Sequence, residues 1–482
     1  MLITGIEERE PDRTEEFTAY AAHCAKGSVT MPPAALDRHE RRLYIRRTLR
    51  EDHQQRIRNR PEGTQAKFDK LARSPFTFFR GTALLWYRDL AGTDGYLPTV
   101  FVVGDVHPEN FGVSANENGA PFFGINDFDE AYFAPFSWDV KRCATGFNLV
   151  ARERGIHKPA RKKLVKGFVE GYLRGLREFA RNDRERWHEM RADNSPPLIR
   201  GLIESVQTSR RDFLASMIDF EKGRFHPSGD VIPHSKHRSE FQKVIDEYCR
   251  VLDLGEEARG AHFKVKDVAV KTGSGTASLG LDRYLVLIDG ETKDPTDDVL
   301  LEIKQSRRSA LHGLTPPVPE DQQAKAPAPQ GNGTKRSRKN RSPRAASGAA
   351  DRVVYAKRIH LSGGDPYYGE VSMGGESFLV RELSPYKGRL DLKTLSSTEL
   401  GEYADICGVT LAQVHARSDE DTGVMRGQAE TRILQSIRPA LFCGDIARFA
   451  EHAARRVEHD YALFRKDHSK GAFNFVSAVD EL

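Results

Sequence analysis

The 482-residue sequence lacks any apolar run near the ~18 residues that a membrane-spanning helix needs. Its best local stretches, residues 284–288 and 100–103, are strand-sized. Cysteine is scarce: Cys24, Cys143, Cys249, Cys407 and Cys443 lie far apart with no C-x-x-C pair, which suits neither a disulfide framework nor a zinc site. The opening MLITGIEEREPDRTEE turns acidic within a few residues and has no basic n-region or apolar h-region. No signal peptide is expected, and a reducing cytoplasm is the expected compartment. No internal repeat is visible. A real basic excess is also missing from most of the chain. The whole carries 74 Lys/Arg against 69 Asp/Glu, a net +5, while residues 314–350 alone carry seven against two, also +5. The remainder is neutral on balance. Hydrophobic residues at 38%, with 40 glycines, exclude a wholly disordered or fibrous chain.

The length exceeds the roughly 250–300 residues at which one core stops growing, so two lobes are expected. Segment 314–350 is rich in Pro, Gly, Ser and Ala with almost no large apolar side chain. It reads as a disordered insertion. Its basic core, 335–344, suits polyanions such as RNA, the one place where nucleic acid is expected, or serves as a solubilising loop. Residues 33–60 read as a helix whose many arginines form a solvated face. Residues 75–90 read as an aromatic-rich helix and 161–179 as an amphipathic one. Gly167, Gly171 and Gly175 recur every four residues along the latter, which points to close packing against a neighbouring backbone. From 268 the pattern changes to strand, glycine turn and strand, then another strand at 299–304. A helix at 351–361 and a strand at 376–382 follow, and the remainder, 398–417 and 445–465, is helical. The fold class is therefore α+β. The division reads as a tail 1–32, a helical lobe 33–265, a strand-rich lobe 266–312 and 351–392 interrupted by 314–350, and C-terminal helices 393–482.

The segment GDVHPEN (104–110) follows an apolar strand and sets Asp105 five residues before Asn110. Phosphoryl transfer needs a carboxylate to orient the attacking hydroxyl and accept its proton, and an amide oxygen a few residues on to hold a metal ion. The next strand pair ends in INDFDEA (125–131), where Asp127, with Asp129 beside it, suits a magnesium ion that bridges phosphates. These motifs resemble the catalytic loop and metal-binding motif of kinase-like enzymes, both the aminoglycoside and choline phosphotransferases and the protein kinases. PFSWDVKR (135–142) is similar to the segment whose aspartate, here Asp139, ties that loop to a helix. Taken together, SPFTFFRG (74–81), GDVHPENFG, INDFDEA and SWDVKR resemble the bacterial family known as domain of unknown function 2252, which is grouped by resemblance with the kinase-like superfamily.

The resemblance implies a protein kinase-like two-lobe fold, ATP and Mg2+. Lys304, in LLEIK, would be the phosphate-anchoring lysine. The turn from Gly275 to Gly280, with Ala277 and Ser278 inside it, would be the lid, and Glu382 and Leu383 the adenine-side hinge. Two departures stand out. The glycine turn and lysine come about 170 residues after the catalytic loop, so the lobe order is permuted. The glutamate that pairs with the lysine from a facing helix is missing, since DRVVYAKRIHL (351–361) offers only Asp351; either that residue or another partner orients Lys304. Arg80, set among aromatics, calls for a carboxylate partner in the catalytic segment. Trp138 and Arg142 read as packing and ion pairing. The expected activity is phosphoryl transfer to an unidentified small-molecule hydroxyl, with nucleotidyl transfer as a close variant. The alternative is a non-catalytic nucleotide-binding module that acts through partners. A metallophosphoesterase built on His107 is a distant third, because no G-N-H segment is present.

Overall fold

A computed structural model describes residues 11–28, 31–116, 118–252, 262–272, 279–292, 294–315, 318, 349–361 and 367–476. Gly275, Ala277, Ser278 and most of segment 314–350, including its basic core, lie outside the described residues.

The chain builds a helical body and an antiparallel sheet. Within the body, β1 (Thr99–Val102) pairs with β4 (Tyr132–Pro135), and β2 (Phe111–Ala115) pairs with β3 (Pro121–Ile125). Val100, Phe101, Val102 and Val103 are all fully buried, as a continuous apolar run requires. The loop 104–110 leaves β1 and the loop 126–131 leaves β3, so two short ladders present both motifs on one side.

Behind them pack the helices Ser137–Glu153, Lys158–Asn182, Ser397–Ala416 and Pro439–His468. The glycine pattern explains the closest of these contacts. A Cβ on Gly171 would sit 2.3 Å from the Asp405 carbonyl oxygen, and one on Gly175 would sit 2.8 Å from Ala412 Cβ; Gly167 faces open space. The expected backbone approach thus holds at two of the three positions.

Two helical expectations need correction. The arginines of helix Arg38–Asn59 form a solvated face only in part: Arg38 and Arg47 are exposed, whereas Arg41, Arg42 and Arg46 turn to buried carboxylates. Arg41 is buried and pairs with Asp89 (2.7 Å) and Asp460 (2.6 Å), and Arg42 and Arg46 both grip Asp467. Distant carboxylates on two other helices turned a polar-looking face into a packed one. The helix expected over 75–90 breaks at Thr82 into Pro75–Gly81 and Ala83–Leu90.

After the two-stranded ladder β5 (Ile218–Asp219) and β6 (Arg224–Phe225) come β7 (Val231–Pro233), β8 (Val265–Lys271), β9 (Arg283–Ile288), β10 (Val299–Gln305), β11 (Gly369–Met373) and β12 (Glu376–Glu382). The last six form one sheet in the order β11-β12-β10-β9-β8-β7, antiparallel throughout. Along β10 the side chains alternate. Val299, Leu301 and Ile303 pack with Phe241, Ile245 and Tyr248 of helix Arg238–Val251, which covers one face. Leu300, Glu302 and Lys304 point the other way: Leu300 packs with Leu214, Ile218 and Phe225, while Glu302 and Lys304 line the cleft toward the helical body. The sheet module therefore begins well before the boundary placed at 265, because β7 and helix Arg238–Val251 belong to it. A three-residue strand has no periodicity to read, and an amphipathic helix does not announce which lobe covers its apolar face. Among the described residues no helix is long and apolar enough to cross a membrane.

Candidate active site

The loop 104–110 is held from below by buried polar groups. Asp139, in the first turn of helix Ser137–Glu153 and wholly buried, accepts hydrogen bonds from the backbone N–H groups of Val103 (2.7 Å) and Gly104 (3.1 Å). His415 Nε2 lies 3.2 Å from the same carboxylate, and its Nδ1 lies 2.8 Å from the Tyr172 hydroxyl. The Tyr403 hydroxyl donates to the Pro108 carbonyl (2.8 Å), and that of Tyr87 donates to the Gly104 carbonyl. Gly104 itself adopts φ 88°, and a Cβ there would sit 2.3 Å from the Glu130 carbonyl oxygen, so only glycine fits. Asp139 thus ties loop to helix as the resemblance implied.

Above this frame, Asp105 receives Arg142 Nε at 2.8 Å and a second bond from Nη2 on the same oxygen. Arg142 is fully buried, donates to the Phe79 carbonyl (3.0 Å) and lies 4.2 Å over the Phe79 ring. Burial pushes the Asp105 carboxyl up to about 6, with Arg142 opposing the rise. Asn110 donates its amide nitrogen to the Asp105 carbonyl (2.5 Å), so its amide oxygen is the atom that can meet a cation. The His107 ring faces Arg80 Nε and the Glu109 backbone N–H, each at 3.2 Å. Burial first, then the nearby guanidinium groups, hold its pKa well below the usual range. It braces the loop, and Arg80 finds the carboxylate it called for in Glu109.

Lys304 reaches down from β10 and bonds Asp129. This carboxylate comes from the 126–131 loop, not from the helix Ala349–His360 that follows the lysine strand. Asp129 donates its backbone N–H to Asp127 Oδ1 (3.2 Å). Burial and the Asp129 charge raise the Asp127 carboxyl. At Asp129 burial also works upward, but the Lys304 ammonium outweighs it and the carboxyl is lowered.

Asp105, Asn110, Asp127, Asp129, Lys304, Glu382 and Leu383 all line one cleft of about 740 Å³ between sheet and helical body. Gly280 does not line it. With φ 81° it turns against helix Pro61–Leu71, where a Cβ would sit 3.2 Å from the Thr64 hydroxyl oxygen, so this end of the glycine turn is a packing point.

Glu302, Arg283 and Lys387, which sequence reasoning passed over, complete the roof with Arg381, the residue before the expected hinge pair Glu382 and Leu383. Glu302, two residues before Lys304 and so on the same face, accepts from Arg381 Nε (2.8 Å) and Nη2 (2.5 Å) and lies 3.4 Å from Arg283. Burial opposes its charge, but the two guanidinium groups hold the carboxyl well below its usual range. Arg381, ahead of burial, lowers Lys387 to about 8. The i, i+2 spacing of Glu302 and Lys304 on a strand was the available signal.

The fold and the cleft define a mixed α and β protein whose sheet-borne lysine meets an acidic loop of the helical body. The chain belongs to the family described as an uncharacterized protein conserved in bacteria (DUF2252), which matches it over residues 58–329 and 323–467. No curated protein and no solved structure matches it.

Proposed function

We propose that the chain is an ATP- and Mg2+-dependent phosphotransferase of kinase-like, permuted two-lobe build, acting on a hydroxyl of an unidentified small molecule. The observation that carries this reading is the Lys304–Asp129 pair inside the cleft that also holds Asp105, Asn110 and Asp127. Chain order within the sheet module supports it: the lysine strand β10, the helix Ala349–His360, and then Glu382 and Leu383 at the cleft.

In such chemistry the protein's part is positioning and charge. Asp105, at about 6, is matched to accepting a hydroxyl proton near neutral pH, and the two bonds from Arg142 fix its orientation. Asn110, Asp127 and Asp129 offer an all-oxygen donor set that fits a hard cation; magnesium held there neutralises phosphate oxygens. Lys304 supplies an ammonium for the phosphates, and Asp129 keeps it aimed into the cleft.

Calorimetric titration of ATP, with and without magnesium, tests this on the wild type, Asp127→Ala and Lys304→Ala. Magnesium-dependent binding that weakens tenfold or more in both folded variants is expected. Absence of binding to the wild type refutes the reading.

A second reading is a kinase-like module that binds without catalysing and acts through partners. The charged roof favours it, since Glu302, Arg381, Arg283 and Lys387 line the same cleft as Glu382 and Leu383, where an uncharged base would want apolar surface. Tight binding without turnover over an acceptor screen would select this reading.

A further inference from the structure

Away from the cleft, a second set of carboxylates meets at the end of helix Ser397–Ala416. The turn Arg184–Arg186 brings Glu185, and the loop leaving the helix brings Asp419 and Asp421; one oxygen of each lies within 4.8 Å of the other two. Glu430, in the first turn of helix Ala429–Ser436, adds its charge to both Glu185 and Asp419. Glu185, Asp419 and Glu430 are each 1% exposed. Among the described residues, no donor reaches either oxygen of Glu185, Oδ2 of Asp419 or Oε2 of Glu430.

The nearby cations do not cover these oxygens. Arg417 spends its guanidinium on the carbonyls of Ile359 (2.5 Å), Glu185 (2.8 Å) and Arg186 (2.7 Å). Arg186 comes no closer than 3.4 Å to Asp421, and Nε and Nη2 of Arg432 find no acceptor among the described residues. Buried carboxylate oxygens without donors are strongly disfavoured, and three such groups beside the more exposed Asp421 call for a compact positive charge with room for several oxygens.

We infer that Glu185, Asp419 and Asp421, with the Glu430 carboxylate beside them, form a binding site for a hard divalent cation, calcium by preference. The set is all oxygen, with no histidine or cysteine, which selects calcium or magnesium over transition metals. Calcium takes six to eight oxygens in flexible geometry, which suits three carboxylates from two separate segments. The ion ties turn Arg184–Arg186, the loop after residue 416 and helix Ala429–Ser436 together. Ser418 accepts from the Phe101 backbone N–H on β1 (3.0 Å), and His415 on the same helix touches Asp139. The site therefore buttresses the strand that feeds loop 104–110.

The test uses the full chain carrying Asp127→Asn and Asp129→Asn, so that the cleft acids do not contribute, stripped with chelator and titrated calorimetrically with calcium chloride alone. One equivalent is expected to bind and to raise the thermal unfolding midpoint. Adding Glu185→Gln, or separately the more exposed Asp421→Asn, should weaken binding at least tenfold while circular dichroism stays unchanged. No calcium binding, or binding that both variants leave unaltered, overturns the site.

Discussion

Asp105→Asn should stabilise the protein, and only above a definite pH. The free carboxyl of an aspartate titrates near 3.9, whereas burial lifts Asp105 to about 6 even with Arg142 beside it. That gap of about two pH units corresponds to about 3 kcal/mol. Between about pH 4 and 6 the folded chain holds this proton more tightly than the unfolded chain, so the wild type loses stability as pH rises through that window. Above about 6 the full loss is present. Asparagine resembles the protonated acid at every pH: its amide oxygen still accepts from Arg142, and no charge has to be desolvated. The variant should match the wild type near pH 4 and exceed it by up to about 3 kcal/mol at pH 8. Urea unfolding followed by tryptophan fluorescence, run at half-unit intervals from pH 4 to 8, measures the difference and cancels every other titrating group. If the variant is less stable at pH 8, or if the gap is the same at pH 4 and 8, the attraction of Arg142 outweighs burial. Asp105 would then sit at or below its ordinary value, and the argument for a base poised near neutrality would fail.

Glu302→Ala should cost about 3–5 kcal/mol in the same assay, because it strands the Arg381 and Arg283 guanidinium groups against each other beneath the sheet. Gly104→Ala and Gly167→Ala should move in opposite directions. The first puts a methyl 2.3 Å from a carbonyl oxygen at a positive φ and should give insoluble or strongly destabilised protein; the second fills open space on a helix and should add up to about 1 kcal/mol in urea unfolding.

Much of the frame was readable because its signals are local. The continuous apolar run 100–103, the strand at 376–382 and the helix around 397–416 carry their own period, and each appears within a residue or two of its expected bounds. Gly171 and Gly175 were readable for the same reason, since glycines at helical spacing have few other uses. What failed depended on partners far away in sequence. The arginines of helix Arg38–Asn59 look solvated until Asp89, Asp460 and Asp467 are placed against them. The strand β7 has too few residues to show alternation, and its assignment to the sheet rests on β8, more than thirty positions later. The same limit hid Glu185, Asp419, Asp421 and Glu430. They span some 245 residues of sequence and share no motif, so only the packed chain brings them together.

The partner of Lys304 shows why a site can be legible in its members and not in its wiring. The absence of a glutamate on helix Ala349–His360 was visible, and Asp351 was the only carboxylate that helix offered. The structure supplies the charge from the opposite module, through Asp129. This substitution changes more than the origin of a carboxylate. A glutamate on the helix beside β10 would belong to the same module as the lysine and would leave the acidic loop free. Asp129 sits two residues from Asp127 and accepts Lys304 across the cleft, so one loop carries both the lysine's partner and the neighbouring carboxylate. The ion pair that orients the lysine therefore joins the sheet to the helical body, which a glutamate on the neighbouring helix of the sheet module would not do.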